Sequence, residues 1–246
     1  MACRQTLCGQ QNVTGALFGV GVGPGDPELI TLKAIRCIET ADIITYPKLE
    51  DTPSFARAIV EEFVTDSQEE FPITIPMLVD PEPAQKAYAA AAKTIAKKLE
   101  QGKVVTALCE GDPFFYGSFQ FLFSRLAASH RVEIVPGVSS LMSCAASTSM
   151  PLSARNDILT ILPAPLNNET LCARLEDTDA AAIIKIGRHF NRVHELIQTL
   201  GLEKHARYIE RSTLPTERIL PLDSVDGNKV PYFSMILIHK RGEAWQ

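Results

Sequence analysis

Four short segments of this 246-residue chain combine residue types that could bind and position a polar, partly flat ligand. The first is Glu110-Gly111-Asp112-Pro113-Phe114-Phe115-Tyr116-Gly117, which follows the apolar run Val104–Cys109. A carboxylate, a glycine that bares the backbone and three aromatic rings suit a crevice ligand. Loops at the C-terminal end of a strand in an open α/β sheet leave such a crevice. Asp112 could equally serve only as a helix N-cap. The second segment is Pro136-Gly137-Val138-Ser139-Ser140, where two hydroxyls open a helix of small residues. Free amides there would accept a carboxylate or a ribose, although capping by Ser139 is the plainer reading. In Lys185-Ile186-Gly187-Arg188-His189, cations follow a strand, which makes either an anion site or a solvated basic loop.

The fourth segment, Gly19-Val20-Gly21-Val22-Gly23-Pro24-Gly25-Asp26, invites comparison with a dinucleotide turn, and the spacing fails. Neither Gly19-x-Gly21-x-x-Pro24 nor Gly21-x-Gly23-x-x-Asp26 supplies the third glycine, and Pro24 has no amide for a phosphate. Other chemistries find no foothold. There is no G-x-S-x-G and no phosphate-loop motif. His194-Glu195-Leu196-Ile197-Gln198 lacks the second histidine of a zinc site, and the six cysteines contain no C-x-x-C pair.

The elements that must carry these segments alternate in type. Strands are predicted over 16–22, 42–46 (stopped by Pro47), 104–109, 131–135, 158–162, 180–186, 207–210 and 233–239. Helices are predicted through Leu29, Leu32, Ile35 and Ile38, then over 84–101 (closed by Gly102), 115–129, 139–147, 170–175 and 191–200. This β-α-β grammar predicts an α/β protein of two domains. A polar tail occupies 1–15, the first domain 16–129 and the second 130–242.

Composition narrows the partners. With 46% hydrophobic and 22% charged residues the chain has material for a substantial core, so disorder is excluded. The 24 basic and 29 acidic residues give a net charge of −5, which argues against a broadly basic nucleic-acid surface. No apolar run approaches the ~18 residues of a membrane span, and the N-terminus has no apolar signal core. The expected setting is cytoplasmic and reducing, with the cysteines as small hydrophobes.

Taken in order, these segments resemble the tetrapyrrole (corrin and porphyrin) methylases over roughly 17–238. The matching pieces are 21–34, Gly111-Asp112-Pro113-Phe114 and Val135-Pro136-Gly137-Val138-Ser139-Ser140. The resemblance implies two α/β domains with the active site in the cleft between them, S-adenosyl-L-methionine as cofactor with S-adenosyl-L-homocysteine as product, and a homodimer. Within the family, the 110–119 segment and the Tyr46-Pro47 pair are most similar to enzymes that methylate C-20 of precorrin-2 in cobalamin biosynthesis. The uroporphyrinogen III methylase has Asp where this chain has Pro47. Cobalt-factor II is the alternative substrate, and a non-corrinoid substrate a more distant one.

Position by position, the resemblance implies cofactor contacts from Pro24, Glu110, Gly111, Asp112, Pro113, Phe115, Tyr116, Ser139, Ser140, Ile186 (against the adenine) and Ser212. A macrocycle fringed with carboxylates needs local cations, for which Lys48, Arg155, Lys185 and Arg188 are the candidates. Asp112 would hydrogen-bond pyrrole N–H groups, Lys185 would act beside it, and Tyr232 would orient or relay a proton. A nicotinamide-dependent oxidoreductase, an RNA or protein methylase and a non-catalytic tetrapyrrole carrier are the competing readings. The broken glycine spacing speaks against the first and the acidic pI against an RNA substrate.

Overall fold

The computed structural model describes residues 15–76 and 81–241, with Pro81 described by its backbone alone. All of the expected tail except Gly15 lies outside the described residues, as do Cys3 and Cys8. The chain divides into two compact units. One runs to Val22 and resumes over Ile30–Gly137, and the other comprises Gly23–Leu29 and the chain from Val138 onward.

In the first unit come β1 (Ala16–Gly21), α1 (Leu32–Glu39), β2 (Ile43–Leu49), α2 (Phe55–Ile59), β3 (Glu69–Ile75), α3 (Pro81–Glu100), β4 (Val104–Cys109), α4 (Gln120–Leu126) and β5 (Arg131–Val135). The five strands form a parallel sheet in the order β3-β2-β4-β1-β5. Alternate residues of β1 serve opposite faces: Leu17 joins the α3 and α4 cluster, while Val20 joins that of α1 and α2. Helices on both faces explain why β4 reads as a continuous apolar run. α3 presents Tyr88, Ala91, Ala92, Ile95 and Leu99 to the sheet at helical spacing. Each larger side chain among them contributes ~1.5–3 kcal/mol of burial.

In the second unit come α5 (Ser140–Ser147), β6 (Leu159–Pro163), α6 (Asn168–Glu176), β7 (Ala180–Ile184), α7 (Phe190–Thr199), β8 (Ala206–Glu210), β9 (Arg218–Leu220) and β10 (Ser234–His239). Their sheet is mixed, in the order β6-β7-β10-β8-β9, with β10 inserted antiparallel to both β7 and β8. α6 and α7 bury Leu171, Leu175, Phe190, Val193 and Ile197 against Ile183, Tyr208 and Ile236. The two-domain α/β class expected from the sequence is the one found. No helix among the described residues is long and apolar enough to cross a membrane.

Four expectations need correction. The boundary between the units falls after Gly137 and not near residues 128–131, because β5 pairs with β1 in the first sheet. α1 begins at Leu32, capped by Thr31, and Leu32 itself is 75% exposed; its buried face is Ala34, Cys37 and Ile38. α4 is shorter than 115–129, since the amides of Phe114 and Phe115 bind Asp112 and Tyr116 adopts a left-handed φ of 55°. β2 continues through Pro47, where its pairing with β4 has ended and only β3 remains alongside. A residue without an N–H is tolerated at such a position. The unforeseen strands β3 and β9 both lie at sheet edges. Charged residues and Pro72 in β3, and the shortness of β9, hid their pattern.

Candidate active site

The crossover from β1 leads to β2 and that from β4 leads to β5, in opposite directions along the sheet. Their divergence makes the C-terminal ends of β1 and β4 the switch point, where ligands of open α/β sheets bind. Gly21 and Cys109 are the last residues of those strands, so the Glu110–Gly117 stretch predicted from sequence leaves the sheet at this point. Here three backbones converge. A Cβ on Gly21 would lie 2.5 Å from the Gly111 carbonyl oxygen, and one on Gly137 would lie 2.1 Å from the same oxygen. Only bare backbone fits, and Gly111 itself has a left-handed φ of 62°.

Asp112 locks this convergence. Its Oδ1 accepts from the Phe114 and Phe115 amides at 2.9 and 3.0 Å, and its Oδ2 accepts from the Gly137 amide at 3.1 Å. The carboxylate thus ties the β4 loop to the end of β5. Beyond it, Phe114 (52% exposed) sits edge-on to Phe123 and tilted to Phe119, while Phe115 and Tyr116 form a T-shaped pair. Burial holds the Glu110 carboxyl above its ordinary range, offset in part by its own amide and that of Ala56 on α2.

Midway along β2 the Tyr46 hydroxyl donates to Glu70 at 2.7 Å, and Arg57 grips the same carboxylate through Nε and Nη2 at 2.9 and 3.0 Å. The Arg57 hydrogen bonds hold Glu70 below the usual carboxylate range. Burial, aided by Glu70, pushes Tyr46 up to about 12. Lys48, half-buried, follows on the same strand.

In the second unit, buried Pro24 lies in the Gly23–Leu29 segment, whose Asp26 amide donates to Thr213 Oγ1 at 3.1 Å. Ser139 caps α5 by accepting from Leu141, and Ser140 is exposed beside it. Ser212 is buried and its hydroxyl donates to Ser143 at 3.0 Å. Lys185 (φ 59°), Arg211 (φ 51°) and Thr213 (φ 70°) hold left-handed conformations, as does exposed Arg155 (φ 51°) before β6. Of the six non-glycine residues with a left-handed φ among the described residues, only Ser149 lies away from the residues and loops the sequence singled out. Strain of this kind collects at functional sites.

Ile186 is 0% exposed and belongs to the α6–α7 core cluster, directly after the exposed, left-handed Lys185. Lys185 and Arg188 are exposed, with Arg188 Nε 3.5 Å from His189. Tyr232 is 73% exposed and stacks edge-on with Phe233 just before β10. Sequence reading missed Arg57, Glu70, Ser143, Ser147, Thr213 and Glu217. None lies in a recognisable motif, and only left-handed Thr213 beside Ser212 carries even a backbone mark.

Residues 16–226 match the sequence model of the tetrapyrrole (corrin/porphyrin) methylases, and the chain belongs to that family. It is 34% identical to the precorrin-2 C(20)-methyltransferase of a Sinorhizobium species, covering 91% of this chain and 95% of that one. It is 30% identical to the cobalt-precorrin-2 C(20)-methyltransferase of Salmonella typhimurium, covering 94% and 99%. Identity reaches 40% with the cobalamin biosynthesis protein CobIJ of Mycobacterium bovis, over 91% of this chain and 46% of that protein. The chain spans about half the length of that mycobacterial relative. Among solved structures, a cobalt precorrin-4 methyltransferase superposes with a TM-score of 0.70 at 22% identity, over 91% of this chain and 94% of the other. A Thermus thermophilus uroporphyrin-III C-methyl transferase complexed with S-adenyl homocysteine gives 0.65 at 22%, over 92% of each. At such identities these two bear on the fold alone.

Proposed function

We propose that this chain is an S-adenosylmethionine-dependent C-methyltransferase that methylates C-20 of precorrin-2, giving precorrin-3A in cobalamin biosynthesis. The observation that carries the reading is end-to-end similarity to two relatives that are both named for transfer to C-20. The backbones of Gly21, Gly111 and Gly137 pack too closely to admit a Cβ on Gly21 or Gly137, which gathers bare main chain at the switch point, as a cofactor held largely through main-chain groups would require.

When bound, S-adenosylmethionine supplies an electrophilic methyl group on sulfur. The protein's task is then alignment and exclusion of water, not nucleophilic attack. In the first domain the Gly111–Pro113 backbone, with Phe115 and Tyr116 alongside, supplies cofactor contacts, and Asp112 fixes that loop's shape. In the second, Pro24, Ser139, Ser140 and the backbone at Ser212 do so. Phe114 offers an exposed ring to a flat macrocycle, and Lys48, Arg155, Lys185 and Arg188 offer cations to its carboxylates. Tyr232 is retained as the proton-handling candidate because it is exposed at the start of β10. Asp112 acts by bracing, since both its oxygens already accept amides.

A cytoplasmic homodimer goes with this reading, supported by the family resemblance. Incubating the purified protein with S-adenosylmethionine and either precorrin-2 or its cobalt-containing counterpart tests the activity. Gain of one methyl group, located at C-20 by carbon-labelled NMR, is expected. Transfer to any other carbon, or none from either macrocycle, overturns the proposal. Light scattering on the same preparation reports the oligomeric state.

A further inference from the structure

We propose that Glu217 is a positioning residue for the cofactor, holding the two second-domain loops that carry Pro24 and Ser212; this rests on the methyltransferase reading above. A single carboxylate oxygen, Oε2, accepts from the Thr213 amide at 2.7 Å and from the Ser147 hydroxyl at 2.8 Å. It therefore joins the last turn of α5 to the loop between β8 and β9. Thr213 has a φ of 70°, a conformation that a β-branched residue resists unless its surroundings enforce it. The bond from its amide to Glu217 is that enforcement. Because the backbone is turned there, Thr213 Oγ1 receives the Asp26 amide at 3.1 Å.

The Gly23–Leu29 loop lies directly against this support. A Cβ on Gly25 would come within 2.7 Å of the Leu214 side chain and 2.9 Å of Thr213 Oγ1. On the other side Ser212 is held by Ser143 at 3.0 Å, with Ser147 at 3.4 Å. Removing the Glu217 carboxylate would release Thr213, then Asp26 and Pro24, without touching α6, α7 or the sheet core. Glu217 acts through Thr213 and Ser147, and its loss is predicted to weaken cofactor binding while sparing the chemical step.

The test compares Glu217→Ala, Glu217→Gln and Thr213→Val with the unaltered protein. Calorimetric titration with S-adenosylhomocysteine is combined with kcat and KM for each substrate and with thermal unfolding. Glu217→Ala should raise the S-adenosylhomocysteine Kd and the KM for the methyl donor by about tenfold, the size of one lost charge-assisted hydrogen bond. kcat at saturating donor and the macrocycle KM should stay near their original values. Glu217→Gln keeps an oxygen able to accept both bonds and should restore affinity to within about twofold. Thr213→Val loses only the Asp26 link and should weaken binding by roughly threefold. Unchanged affinity in Glu217→Ala, or a fall in kcat alone, overturns the proposal. If Glu217→Ala does not fold, unchanged affinity in Thr213→Val does so. An unaltered protein that binds no S-adenosylhomocysteine overturns the methyltransferase reading itself, a different result from affinity that ignores Glu217.

Discussion

Gly137 and Gly111 approach so closely that a Cβ on Gly137 would lie 2.1 Å from the Gly111 carbonyl oxygen. Two loops that are 26 positions apart in sequence are thereby pressed together at the sheet's switch point, and Gly21 completes the contact from β1.

Gly137→Ala should therefore separate these backbones. The obstacle is main chain on both sides, so no side-chain rotation relieves it. A destabilisation of ~2–3 kcal/mol is expected, read as a lower urea midpoint with unchanged slope. Affinity for S-adenosylhomocysteine should fall with it. A midpoint equal to that of the unaltered protein would show that the strand ends can move apart at little cost.

Asp112→Ala strands three amides that now share its two oxygens. A stability loss of ~2 kcal/mol is expected, together with weaker cofactor binding. Asp112→Asn should be intermediate: its remaining oxygen can serve Phe114 and Phe115, while its amide group opposes the Gly137 N–H. Macrocycle KM should change less than cofactor affinity in both variants. The reverse pattern would return Asp112 to the expected role of hydrogen-bonding pyrrole N–H groups of the macrocycle.

Glu70 gives the first domain an acid-sensitive tie. Arg57 lowers its pKa below the ordinary 4.5, so the folded state holds this proton more weakly than the unfolded chain does. The stabilisation is complete above pH 4.5 and is lost as pH falls through the depressed value. Glu70→Gln should cost ~1 kcal/mol near neutrality, a modest figure because the pair is partly exposed. The gap from the unaltered protein should close on acidification, as followed by denaturant titrations at several pH values. A gap independent of pH would exclude the ionic contribution.

Glu110 has the opposite sign. Burial raises its pKa above 4.5, so the folded state binds the proton more tightly than the unfolded chain. Stability should fall as pH rises from 4.5 to the raised value and stay lower beyond it. Glu110→Gln retains an acceptor for the Ala56 amide and removes the charge. It should be the more stable protein at neutral pH, with the advantage vanishing below pH 4.5. A less stable variant at pH 7 would mean that the carboxylate is satisfied when ionised.

The alternation of strands and helices, and the loops at which chemistry would concentrate, were legible in the order of the amino acids. Those are local matters: apolar periodicity, a glycine after a helix, an Asp-Pro turn after a buried strand. That order also marked Gly111-Asp112-Pro113 and Ser139-Ser140, because turn and cap chemistry is written in adjacent residues. Tertiary structure decided which distant groups meet. Gly21, Gly111 and Gly137 come from three strands whose order, β4-β1-β5, no local pattern encodes. The mixed sheet of the second domain depends on β10 crossing back between β7 and β8, and Ile186 is buried in the α6–α7 core right after the left-handed Lys185. The span from Asp26 to Thr213 is 187 residues, and Ser147 lies 70 from Glu217. A hydrogen bond across such a separation is fixed by packing of the whole domain, so neither residue type nor spacing could announce it.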